Sequence, residues 1–206
     1  MNALTFCREK ISDLVFGKGD MNIPIRDLNF VVLDTELTGL DPVTDSIISI
    51  GAVRMRGGRI DLGDVFYKVV RPSTEMKHRS IVVHQITPSE VEDKPSIDET
   101  LYELIEFCGN DIIVGHFISL DIDFINKESK RIYGAQLKNY AVDTHRIYEW
   151  MTENDVEFRR HYGGSPEELN LYAIAKKHRI SVSGAHNAVN DAFITAQLFQ
   201  RFLSFF

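Results

Sequence analysis

Residues 30–42 read FVVLDTELTGLDP. Four apolar residues, Phe30, Val31, Val32 and Leu33, run straight into Asp34-Thr35-Glu36, and Gly39-Leu40-Asp41-Pro42 then turns the chain. Such a run predicts a buried strand whose side chains alternate between two faces. Phe30, Val32, Asp34 and Glu36 fall on one face, Val31 and Leu33 on the other. Two carboxylates therefore leave the strand's end in the same direction. An isolated pair of acids at a strand end is common as mere solvated charge, so this pair gains meaning only from what joins it.

Outward from that strand the pattern stays legible. Ile47 to Arg56 predicts a second strand, and Gly57-Gly58 is a two-residue hairpin signal leading to a third strand near Val65–Val70, which Pro72 stops. Thr87-Pro88-Ser89-Glu90 is a capping box with proline at the first helical position. Ser96 with Glu99 forms another, and its helix runs to Gly109. Asp111–Val114 predicts a short strand leading to Gly115-His116, with a helix from about Asp121. Ala141-Val142-Asp143 predicts a fifth short strand followed by a helix, and Asp143-Thr144 is expected to cap it. Ser165-Pro166-Glu167-Glu168 is read as the cap of a helix reaching about His178. The last helix, from about Ala188, stacks Ala192, Phe193, Ala196, Phe199, Phe202, Leu203 and Phe206 on one side. Ahead of all this, Leu4, Cys7, Ile11, Leu14 and Val15 fall at helical spacing and Gly17-Lys18-Gly19-Asp20 ends the segment. Residues 1–27 are thus expected to be an N-terminal helical extension, packed on the body or docking a partner, and residues 28–206 one domain. A hairpin meander followed by alternating helices and strands predicts an α/β fold, a mixed sheet covered by helices.

The bulk properties set bounds. A chain of 206 residues with 44% hydrophobic and 26% charged residues is an ordinary globular length and composition. No apolar run approaches the ~18 residues that a membrane span needs, so no membrane partner is expected. Cys7 and Cys108 have neither metal nor redox spacing, which predicts reduced thiols in a cytoplasmic protein. The net charge of −7 excludes a protein that coats nucleic acid with its whole surface. It leaves room for a nuclease, because site carboxylates are neutralised when divalent ions load. Basic clusters at Lys127/Lys130/Arg131, Arg159/Arg160/His161 and Lys176/Lys177/His178/Arg179 are either solvated helix faces or local phosphate contacts.

Acids recur at Asp121 and in His186-Asn187-Ala188-Val189-Asn190-Asp191. Four acids and a histidine, if brought together, suit hard divalent cations with a base beside them, the chemistry of phosphodiester hydrolysis. His186 and Asp191 would point about 140° apart on one continuous helix. His186 is therefore expected on the loop before the last helix, with Asp191 in its early turns.

Three motifs resemble those of the DnaQ-like 3′–5′ exonucleases. DTELTGLDP is similar to the first, usually DTETTGLDP; VGHFISLDIDFI from Val114 is similar to the second, usually VGHN followed by Phe-Asp; HNAVNDAFITAQLF is similar to the third, with its histidine five residues before an aspartate. The resemblance covers about residues 28–204, and the histidine places the chain in the DEDDh branch, which includes the proofreading epsilon subunit of bacterial DNA polymerase III, RNase T and oligoribonuclease.

That resemblance implies an RNase H-like fold, a five-stranded mixed sheet with one antiparallel strand, flanked by helices. It implies a 3′–5′ exonuclease using two divalent cations, Mg²⁺ or Mn²⁺, with Asp34 bridging them, Glu36 and Asp191 completing the shell of the first ion and Asp121 serving the second ion. His186 would take a proton from the attacking water. Thr35, Leu37, Thr38, Gly39, His116 and Phe117 would contact the 3′-terminal nucleotide. The implied partners are 3′ ends of single-stranded DNA or RNA, and a DNA polymerase, since the chain contains no polymerase motif. Departures from the pattern are Leu37 for threonine, Phe117 for asparagine and Leu120 for phenylalanine. They remove no ligand but alter the nucleotide pocket. DNA is the first expectation for substrate; an RNA exonuclease of the RNase T or oligoribonuclease kind, or an inactive docking module, are the rivals.

Overall fold

The computed structural model describes residues 23–164, 169–184 and 186–205. The expected helix over residues 1–20 and the Ser165–Glu168 cap lie outside the described residues. Five strands, β1 (Asn29–Leu37), β2 (Ile47–Arg56), β3 (Arg59–Val69), β4 (Ile112–Gly115) and β5 (Ala141–Asp143), form one sheet in the order β3-β2-β1-β4-β5. β1 pairs antiparallel with β2 and β2 antiparallel with β3, whereas β4 runs parallel to β1 and β5 parallel to β4. β2 is thus the one reversed strand, and the architecture is the RNase H-like sheet that the motifs imply.

Eight helices lie among the described residues: α1 (His78–His84), α2 (Pro88–Val91), α3 (Ile97–Cys108), α4 (Ser119–Tyr133), α5 (Thr144–Asn154), α6 (Val156–Tyr162), α7 (Leu171–Lys177) and α8 (Ala188–Leu203). They cover the sheet on both sides. Val31 and Leu33 share a core with Leu101 and Leu104 of α3 and Phe124 and Ile125 of α4. Phe30 and Val32, on the opposite face, share one with Tyr148 of α5, Phe158 of α6, Ile174 of α7 and Phe199 and Phe202 of α8. Phe30 meets Phe199 edge to face, with ring centroids 5.1 Å apart. Full burial of each such ring contributes about 1.5–3 kcal/mol. The predicted alternation along β1 is what divides these two cores.

Local chemistry sets the ends. Thr87 with Glu90, and Ser96 with Glu99, form the two capping boxes read from the sequence, and Gly109 ends α3 at φ +49°. Asp143 accepts from the amide of His145 and so caps α5. Three differences from expectation have physical causes. β3 begins at Arg59, several residues early, because its first half is a polar edge strand, paired through Arg56–Arg59 and Met55–Ile60 after a bulge opposite Val53/Met55. α4 begins at Ser119, two residues before Asp121, because Phe117 takes a left-handed turn at φ +57° and Ile118 folds over Gly115. α7 begins at Leu171, where Asn170 caps it by accepting from Ala173 N–H. Helices α1 and α6 carry no strong apolar period, so the sequence pattern does not predict them; the cap of α6 is Asp155, which accepts from the amides of Glu157 and Phe158.

Two contacts place the site. Gly51 of β2 lies opposite Asp34 of β1, and a Cβ on it would stand 2.2 Å from the backbone of Ala188 and Val189. The start of α8 therefore rests directly on the sheet beside Asp34, possible only because position 51 has no side chain. On the other side, parallel pairing of β4 with β1 brings the start of α4 to the same end of the sheet.

Candidate active site

Asp34 and Glu36 project from the end of β1 on the face covered by α8. Asp191 sits in the first turn of α8. Ligand oxygens of Asp34, Glu36 and Asp191 all lie within 4.8 Å of one another. Asp121, in the first turn of α4, stands beside this trio; its Oδ1 accepts from Thr35 N–H at 2.9 Å and Thr35 Oγ1–H at 2.5 Å. Thr35 points away from the acids on its own strand, so it is free to hold Asp121 from the other side of the backbone.

The crowding has an electrostatic signature. Burial, then the neighbouring Asp121, Asp191 and Glu36, push the Asp34 carboxyl well above its ordinary range. Burial and the charges of Asp191 and Asp121 raise Glu36 to about 8. Burial raises Asp121 to about 7, against the lowering influence of Thr35. Asp191 is raised by burial as well, opposed by its bonds to Tyr172 and to the His186 amide. No lysine or arginine is paired with any of the four in the ion pairs of the described residues. Asp191 Oδ1 is buried with no hydrogen-bond partner. Oxygen-only donors, uncompensated charge and an orphaned buried carboxylate oxygen together fit a hard divalent cation.

His186 occupies the loop before α8, is exposed, and has φ +64°. Its backbone N–H donates to Asp191 Oδ2 at 3.1 Å. The residue that sequence reasoning missed is Tyr172 of α7. Its hydroxyl donates to Asp191 Oδ2 at 2.5 Å, accepts from His186 N–H at 3.0 Å and lies 3.1 Å from His186 Nδ1. No motif flags Tyr172; only the packing of α7 against α8 brings it in.

The remaining predicted residues divide. Thr38 is fully buried and reaches Asp45, Thr74 and the Ser46 amide, so its side chain fixes the loop after β1. Gly39 lies against Asp45 and Lys77, where a Cβ would stand 2.3 Å from Asp45 Oδ2. Leu37 packs partly into the core shared with α3 and α4. His116 is buried between Thr144 Oγ1, at 2.9 Å, and the Leu169 carbonyl, at 3.3 Å. Phe117 is 47% exposed, its amide donates to Asp143, and its ring lies over His145 with centroids 4.2 Å apart. The Lys127/Lys130/Arg131 cluster is not a free basic face. Lys127 donates to the Asp45 carbonyl, and Arg131 is paired with Glu128 and Asp98.

Comparison with known proteins places the chain in a family. A family model described as an exonuclease, of the RNase T type, matches residues 31–199. A DNA polymerase III of the PolC type from Thermotoga maritima is 34% identical over 177 residues, which are 86% of this chain and 12% of that protein. The DNA polymerase III subunit epsilon of Aquifex aeolicus is 33% identical over 177 residues, 86% of this chain and 81% of that subunit. The chain thus spans about an eighth of the PolC-type relatives and most of the epsilon relative. Among solved structures, E. coli exonuclease I in complex with a dT13 oligonucleotide superposes with a TM-score of 0.73 at 16% identity, covering 85% of this chain and 41% of that one.

Proposed function

The chain belongs to the DnaQ-like exonuclease family, and we propose that it hydrolyses single-stranded DNA stepwise from the 3′ end, releasing nucleoside 5′-monophosphates. The observation that carries this reading is the convergence of Asp34, Glu36 and Asp191 oxygens within 4.8 Å, with His186 tied to Asp191. Asp34, Glu36 and Asp191 would hold one divalent cation, and Asp34 with Asp121 a second, Mg²⁺ or Mn²⁺. When bound, the ions would polarise the scissile phosphate and stabilise charge on the leaving 3′ oxygen. His186 is exposed at the mouth and is assigned the proton of the attacking water. Thr35 holds Asp121 against the trio from behind. The backbone of residues 38 and 39 and the exposed face of Phe117 are assigned to the terminal nucleotide, Phe117 as a stacking surface. Asp143 fixes the turn that presents Phe117, by accepting its amide proton.

Relatives named as polymerase III epsilon and PolC-type polymerases support a DNA polymerase as the partner, and a cytoplasmic place of work. No helix among the described residues is long and apolar enough to cross a membrane. The test is 5′-labelled linear single-stranded DNA and RNA, with circular single-stranded DNA, each incubated with Mg²⁺ or Mn²⁺. Linear DNA should shorten one nucleotide at a time and the circle should survive. A nicked circle would refute an exonuclease, and faster loss of RNA would assign the chain to the RNA exonucleases.

A further inference from the structure

Tyr172 has a single hydroxyl proton and three neighbours for its oxygen. The proton goes to Asp191 Oδ2 along the shortest contact, 2.5 Å. The two remaining lone pairs must then accept. One accepts from His186 N–H at 3.0 Å. The other faces His186 Nδ1 at 3.1 Å, which is a hydrogen bond only if Nδ1 carries a proton. A neutral imidazole protonated at Nδ1 has its lone pair at Nε2. The same phenol occupies Asp191 Oδ2, together with the His186 amide at 3.1 Å, and leaves Oδ1 buried with no partner.

We propose that Tyr172 is the positioning residue of this site: its hydroxyl fixes the Nδ1–H tautomer of His186, so that Nε2 is the basic nitrogen, and reserves Asp191 Oδ1 for a cation. The proposal deepens the exonuclease reading and rests on it for the meaning of a base, though not for the tautomer itself. The surrounding structure agrees with a built arrangement. The ring of Tyr172 meets the His186 ring edge-on, with centroids 4.7 Å apart at 74°. His186 is held in a left-handed backbone conformation, and the loop before it is tied down by Asn190, whose Nδ2 donates to the Gly184 carbonyl at 2.9 Å. Backbone strain of this kind persists only where its surroundings enforce it. One hydroxyl thus links the two catalytic elements, the loop and α8, through α7, which supplies no ligand of its own.

The test is the imidazole nitrogen spectrum of His186 in the metal-free protein, at a pH where the ring is neutral, for wild type and Tyr172→Phe. Phenylalanine keeps the ring packing and removes only the hydroxyl. The wild type should show a protonated Nδ1 and an unprotonated Nε2 at His186. Tyr172→Phe should move the ring toward the Nε2–H form, while circular dichroism and the other histidines stay unchanged. Single-turnover cleavage by Tyr172→Phe, and its Mn²⁺ affinity by calorimetry, should each fall by about 10–100-fold, as for other groups that orient metal ligands. A wild-type His186 in the Nε2–H form, or a tautomer unmoved by Tyr172→Phe, would overturn the proposal. A wild type with the Nδ1–H ring that degrades no nucleic acid would retire the exonuclease reading and leave the tautomer assignment standing.

Discussion

Glu36 titrates near 8 where a free glutamate titrates near 4.5, and Asp121 near 7 where a free aspartate titrates near 3.8. Between those limits the folded chain holds protons that the unfolded chain has released, so these two carboxyls contribute a loss of stability to the metal-free protein as pH rises through that window. Glu36→Gln should flatten this slope and raise the melting temperature of the metal-free protein at neutral pH. Mn²⁺ should stabilise the wild type, and more so at higher pH, since it binds only the folded, deprotonated site. Thermal unfolding with and without Mn²⁺ across the window checks both signs. A second pair of variants separates base from ligand. His186→Ala should lower turnover by roughly 10²–10⁴ and leave Mn²⁺ binding in place, because all four carboxylates remain. Asp191→Ala should lower both, by removing ligand charge from the trio; single-turnover cleavage beside calorimetry makes the comparison. Asp34, Glu36 and His186 were legible because each belongs to a short motif with fixed spacing. Tyr172 was not, because its role depends on where α7 lies against α8, which no local pattern encodes.

At the scale of elements, the site depends on how closely α8 approaches β2. Gly51→Ala places a methyl group 2.2 Å from the Ala188–Val189 backbone, and no flexible side chain is there to yield. The helix start must lift, at a cost of about 1–3 kcal/mol for overpacking. It would carry Asp191 away from Asp34 and Glu36. Gly51→Ala should therefore weaken Mn²⁺ binding far more than its stability loss explains, whereas Gly58→Ala, with nothing within 4 Å of its Cβ, should leave binding unchanged. Chemical unfolding and Mn²⁺ titration of both variants test this. The sequence makes the strands and long helices legible because their apolar periods are strong: β2 occupies the residues its pattern predicts, and α8 starts where its stripe begins. It is silent on α1, whose Val82 and Val83 stay exposed, and on the first half of β3, a charged edge held by pairing with β2 rather than by burial. Gly51 also reads as an unremarkable strand residue until the helix above it is known.

Across the whole molecule, acidity pulls in two directions. His178 is buried in an aromatic corner, stacked on Tyr162 with centroids 4.1 Å apart and edge-on to Phe202, and its Nε2 has no partner. Burial, with Arg201 and Lys177 nearby, lowers its pKa to about 4. The unfolded chain protonates this histidine first, so its contribution is intact above about 6.5 and is lost as pH falls toward 4. His116, lowered to about 4 by burial and by His145, adds in the same direction. These histidines oppose the site carboxylates below about 6.5, so the metal-free protein should show a shallow stability optimum near there and lose stability only above it. Loading with Mn²⁺ cancels the carboxylate part and should expose acid sensitivity; His178→Phe should then reduce it, as urea unfolding at a series of pH values would report. Order along the chain carries a last consequence. β1 is among the first described segments to leave a ribosome, and α8 is the last. Until α8 seats on Gly51, the pair Asp34 and Glu36 has neither Asp191 nor His186 beside it. A chain on which α8 has not yet seated is therefore unarmed, and the site is assembled only in the folding step that lays α8 on the sheet.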